Sequence, residues 1–145
     1  MKKRYLLLNC IVPLFLGGIL YYLYSPEVYF VKGLDYIIGM QRQTITRQEM
    51  MPVMRVIRYW GADMLWSYAL LFSLHFITDN KTVSTEKLFC IAALFTCATE
   101  VAQCIPGSSG TYDVCDIVVE WTALVIAVII IKYYDLRRRK KDEST

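Results

Sequence analysis

Five polar side chains crowd one turn of a strongly apolar stretch: Glu100, Gln103, Asp113, Asp116 and Glu120. Four of them are acids. Carboxylates gathered in one place can bind a cation, accept hydrogen bonds from a lipid or glycan head group, or move protons. Glu100 and Gln103 stand three residues apart, and Asp113, Asp116 and Glu120 follow at i, i+3 and i+7, so each set falls on one face of a helix. The elements that must carry them are two apolar runs, 88–105 and 114–131, joined by Pro106-Gly107-Ser108-Ser109-Gly110-Thr111. Each run is close to the roughly 20 residues that a helix needs to cross a bilayer. An ionisable group at the centre of such a helix costs at least about 2.5–3.5 kcal/mol, so these groups are expected to face a bundle interior or water. The pattern reads as a hairpin of membrane helices with an acidic outer mouth.

A further acid, Asp63, enters another apolar run just after Arg58-Tyr59-Trp60 and just before Trp66. The two tryptophans mark a membrane interface, which puts Asp63 at a depth similar to the mouth. Pairing of Asp63 with Arg55 or Arg58 to fix the helix end is the structural alternative. The candidate site is thus Glu100, Asp113 and Asp116 as one unit, with Gln103, Glu120, Asp63 and Arg58 around it. Like charges so close repel unless Arg55, Arg58 or a bound cation offsets them.

Three roles compete for this set. As scaffold, the acids cap helices and bond to Ser108, Ser109 and Thr111; Asp113 and Asp116 would also gain about 0.3–1 kcal/mol each from the helix dipole. As a binding site, they take a cation or a head group from the outer leaflet. As an enzyme, they supply an acid–base pair, but the motifs for that are missing. Asp113-Val114-Cys115-Asp116 is a DxxD with no following Gly and no second Asp-rich motif, and HExxH, GxSxG and a phosphate loop are all absent. A non-catalytic role is favoured, without cofactor or metal. His75 has no nucleophile or metal partner nearby in sequence and reads as a packed or interfacial histidine.

Composition sets the class. The 145 residues are 56% hydrophobic with mean hydropathy +0.37, and the excess lies in four apolar runs at 5–24, 59–77, 88–105 and 114–134. With four crossings, Lys and Arg divide 11 to 5 in favour of the side that holds both termini, so both termini are expected in the cytoplasm. The basic tail at 137–141 is then a topology and anionic-lipid signal rather than a nucleic-acid site, since no aromatic-basic platform accompanies it. The first run lacks a small-x-small cleavage site and reads as an uncleaved helix. Cys90, Cys97 and Cys104 recur every seven residues as small packing side chains, and Cys104 could pair with Cys115 in an oxidising compartment.

At the acidic mouth the chain resembles the VanZ-like family of small bacterial membrane proteins. The resemblance rests on Glu100-Val101-Ala102-Gln103, Pro106-Gly107 and Asp113-Val114-Cys115-Asp116-Ile117. Family members carry Arg where Ser108 stands, Asn where Glu120 stands and Gly where Ala123 stands, and the second helix also departs from the family pattern. The resemblance implies a protein of the bacterial cell membrane with a role in the cell envelope or in the response to glycopeptide antibiotics. A scaffold or accessory subunit of a membrane complex, as homo- or hetero-oligomer, is the alternative.

The expected architecture is an all-α polytopic bundle of four membrane helices near 5–24, 57–78, 87–105 and 113–134. A loop at 25–56 carries a short extracytoplasmic surface helix between about 27 and 51, and a basic tail spans 135–145. Within the loop, Thr46-Arg47-Gln48-Glu49 has capping-box spacing, Pro52 marks a kink or restart, and Ser84 is the expected N-cap of the third crossing.

Overall fold

A computed structural model describes residues 3–24, 29–39, 52–78, 83–105 and 112–142. Every element among them is a helix: α1 (Lys3–Tyr24), α2 (Tyr29–Ile38), α3 (Pro52–Ile77), α4 (Thr85–Ala102) and α5 (Val114–Asp142). The turn at 106–111, the capping box at 46–49 and the side chain of Arg58 lie outside the described residues.

Local chemistry explains the boundaries. Pro52 is the first residue of α3, the helical position at which its missing N–H and fixed φ are harmless. The helix therefore begins five residues before the expected 57. Ser84 caps α4 as its hydroxyl accepts from the Lys87 backbone N–H at 3.5 Å, and Gln103 closes the other end. The expected break at 134 is corrected: α5 runs on to Asp142. Residues 135–142 contain no Gly or Pro, and their Lys and Arg are good helix formers that also favour a helix C-terminus.

The helix α3 is the centre of the bundle. It packs against α1, α4 and α5, and α4 also packs against α5. Leu71 and Phe72 of α3, Leu88 of α4, and Leu124 and Ile131 of α5 form the core, with Ala92, Ala93 and Ala127 allowing close approach. At one end, Tyr5 meets Tyr134 with ring centroids 4.0 Å apart and Lys132 pairs with Glu86 at 2.7 Å. The start of α1 and the far part of α5 therefore share one end of the molecule, and the Glu100 end of α4 lies opposite.

Two helices among the described residues, α1 and the Val114–Arg137 part of α5, are long and apolar enough to cross a membrane. Only 17% and 28% of these stretches are buried, whereas the core helix of a soluble protein is mostly buried. Leu8, Phe15, Leu94, Val118 and Ile129 all stand exposed on the outside of the bundle. The other two expected crossings are less apolar. The helix α3 mixes Asp63, Ser67, Ser73 and His75 into its apolar residues, and the 18 residues of α4 include Glu86, Lys87 and Glu100.

The joint between α1 and α3 combines a close glycine contact with an interhelical hydrogen bond. A Cβ at Gly17 would lie 2.5 Å from the Trp66 ring, while Gly18 faces open space. Four residues before Pro13, which has no N–H to give, the Asn9 side chain donates to the Tyr5 carbonyl at 2.9 Å and accepts from the Tyr68 hydroxyl at 2.6 Å. The short helix α2 is tied back to α1 by the Tyr22 hydroxyl, which donates to Asp35 at 2.7 Å.

Candidate functional site

A cavity of about 460 Å³ opens beside α3 near the end of the bundle that holds Glu100. From α3 it is lined by Asp63, Trp66, Ser67, Leu70 and Ser73, and from α4 by Phe95, Thr96, Thr99, Glu100 and Gln103. Glu120 reaches it from α5 and Leu14 from α1. Among the described residues, none that lines it is basic.

The polar lining follows from helical spacing. Asp63, Ser67, Leu70 and Ser73 recur along one face of α3, and Thr96, Thr99, Glu100 and Gln103 along one face of α4. Small hydroxyls in these stripes mostly return their hydrogen bonds to their own helix. Ser73 donates to the Ala69 carbonyl at 2.8 Å, Thr96 to Ala93 at 3.1 Å and Thr99 to Thr96 at 2.7 Å. They leave the acids to face the cavity.

Glu100 is 5% exposed and Glu120 8%. Gln103 donates its side-chain N–H to Glu100 Oε1 at 2.8 Å, but Glu100 Oε2 is buried with no hydrogen-bond partner. Glu120 Oε2 is likewise buried and unpartnered, with the Thr96 hydroxyl beside that carboxyl group. Asp63 and Asp116 are close enough to interact electrostatically with both glutamates. Four carboxyl groups from three helices thus share one low-dielectric region.

Of the residues singled out in the sequence, the structure gathers Glu100, Gln103, Glu120 and Asp63 on the cavity. Asp116 is half-buried next to the set, with the Trp60 side chain as a hydrogen-bonding neighbour. Asp113 is different. It precedes α5, is exposed, accepts from the Cys115 backbone N–H at 2.8 Å through its side chain and from Asp116 at 3.1 Å through its carbonyl. That is the geometry of a helix cap, and it removes Asp113 from the face shared by Asp116 and Glu120. Arg55 is exposed and makes no ion pair with Asp63. Cys104 and Cys115 are free thiols. His75 is packed as expected, 3% exposed, with both ring nitrogens lacking a hydrogen-bond partner.

Sequence reasoning passed over Ser67, Ser73, Thr96 and Thr99, although their spacing to Asp63 and Glu100 was readable. It had no means of finding Leu14 or Phe95, which are ordinary apolar residues until the helices are packed. Among the described residues no group of three His, Cys, Asp or Glu is placed to hold a metal ion. The site is suited to receive positive charge or hydrogen-bond donors. Compared with protein-family models, curated proteins and solved structures, the chain matches none.

Proposed function

We propose that the chain is a VanZ-like protein of the bacterial cell membrane whose acidic cavity binds a cationic or donor-rich head group from the outer leaflet. In this reading α1, α3, α4 and α5 all cross the bilayer, with both termini cytoplasmic by the distribution of Lys and Arg. The exposed apolar faces of α1, α4 and α5 support the crossings, and the meeting of Tyr5 with Tyr134 supports a common side for the ends. The amphipathic α2, with Tyr36, Ile37 and Ile38 exposed, suits the outer membrane surface.

One observation carries the binding role. Glu100 and Glu120 each hold a buried, unpartnered carboxyl oxygen at a cavity whose described lining includes no basic residue. Leaving such an oxygen unmade costs on the order of 1–3 kcal/mol or more, which a scaffold has no reason to carry and a binding site does. Asp113, by contrast, fits the scaffold role completely. The resemblance at Glu100-Val101-Ala102-Gln103 and Asp113-Val114-Cys115-Asp116 supports the cell-envelope context.

Titration of the detergent-solubilised protein with ethylammonium, followed by calorimetry, tests the proposal. Saturable binding that Glu100→Gln or Glu120→Gln weakens at least tenfold is the expected result. No binding to the wild-type protein, or equal binding to both variants, would overturn it.

A further inference from the structure

The cavity has both acidic and apolar lining. Asp63, Glu100, Gln103 and Glu120 mark its acidic part, while Leu14, Leu70 and Phe95 give it an apolar part, and Trp66 adds an aromatic wall. Leu14 and Phe95 come from α1 and α4, which both pack on α3 and touch one another at most slightly. Their side chains are 56% and 58% exposed. The slot between them therefore opens sideways through the wall of the bundle. Both helices present apolar outer faces on either side of it, Ile11 and Phe15 on α1 and Ile91 and Leu94 on α4.

An occupant must satisfy both parts. The unpartnered oxygens of Glu100 and Glu120 call for a cation with N–H donors, and the four neighbouring carboxyls exclude a ligand with an anion fixed close to that cation. Trp66 can add a cation–π contribution. The exposed apolar sides of Leu14 and Phe95 call for a hydrocarbon chain leaving through the slot. A volume of about 460 Å³ lies in the range of small-molecule sites, roughly 300–1,000 Å³, and holds a head group with the first part of a chain.

Resting on the acidic-site reading above, we infer that the ligand is a single-chain amphiphilic amine, an alkylammonium, which enters laterally between α1 and α4. Its ammonium group seats among Glu100, Glu120 and Asp63, and its chain passes between Leu14 and Phe95 toward the bilayer. A zwitterionic lipid whose phosphate lies next to the amine binds more weakly, because that phosphate meets the same carboxyls.

The test uses the full-length protein in nanodiscs with Trp60→Phe and Trp121→Phe, so that Trp66 reports binding by its fluorescence. The probes are ethylammonium, hexylammonium and hexanol, and a Glu100→Gln, Glu120→Gln background corrects for partition into lipid. Hexylammonium is expected to bind at least tenfold more tightly than ethylammonium, and hexanol not to bind. In a Leu14→Phe variant, which narrows the slot at an exposed position without adding a second tryptophan, that chain-length gain is expected to fall while ethylammonium binding persists and reports an intact fold. If hexylammonium binds no more tightly than ethylammonium, or if Leu14→Phe leaves its advantage unchanged, lateral entry of an amphiphile is overturned and the cation site stands. If neither amine binds, or hexanol binds equally well, both readings fall.

Discussion

At the residue scale, individual contacts between α1 and α3 are specific enough to be separated by mutation. Gly17→Ala puts a methyl group 2.5 Å from the Trp66 ring, itself held 5.4 Å from Tyr21. Overpacking of this kind costs about 1–3 kcal/mol, so thermal unfolding in detergent should show a clear loss. Gly18→Ala meets nothing and should be neutral or stabilising, since Ala exceeds Gly in helix propensity by up to about 1 kcal/mol. The Gly17-Gly18 pair could be recognised in the sequence as a close-approach signal, but which of the two faces the partner depends on the rotation of α1. Tyr68→Phe removes the bond to Asn9, and interhelical bonds of this kind average about 0.6 kcal/mol with a maximum near 1.7. A loss within that range is expected; a loss of several kcal/mol would mean that Tyr68 does more than close this joint. The roles of the acids were legible only in part, for a related reason. Asp113 shares a spacing with Asp116 and Glu120, yet it lies before the first turn of α5 and caps it.

At the element scale, the helices followed from hydrophobic runs, while their ends depended on side chains with more than one reading. Pro52 could kink a helix or begin one, and here it begins α3. The basic residues after Asp135 could mark a solvated tail, and here they extend α5. Their charges say nothing against a helix, so the apolar pattern alone placed the end too early. The other terminus of the same hairpin offers a test of pH dependence. Lys132 hydrogen-bonds to Glu86, in the first turn of α4, and holds that carboxyl below its ordinary value of 4.5. A carboxyl with a lowered folded pKa contributes stability that is fully present above its unfolded pKa and lost as pH falls through the folded one. Both side chains are more than half exposed, so the contribution is small. Lys132→Gln should therefore lower the melting temperature slightly at pH 7 and leave it unchanged at a pH below the folded pKa of Glu86. A difference that persists at the lower pH would show that Lys132 acts through something other than Glu86.

At the scale of the whole molecule, the arrangement of helices explains why a cavity exists. One helix, α3, carries three neighbours, and α1 and α4 touch at most slightly, which leaves a gap between them. The polar stripes of α3 and α4 and the Glu120 side of α5 converge beside that gap. No single helix shows this in its own sequence, because each stripe is sparse and the gap is a property of the packing. On the proposed function, the buried acids serve a ligand and not the bundle. Thermal unfolding of the Glu100→Gln, Glu120→Gln double variant at pH 7 tests it most directly. The amides keep the size of the side chains and remove the repulsion among neighbouring carboxyls and the unpartnered oxygens' demand for charge. The account predicts a melting temperature equal to or above that of the wild type, together with loss of the stabilisation that ethylammonium gives the wild type. A melting temperature lower by about 5 °C or more, which for a chain of this size corresponds to more than about 1 kcal/mol, would contradict it and make Glu100 and Glu120 part of the scaffold.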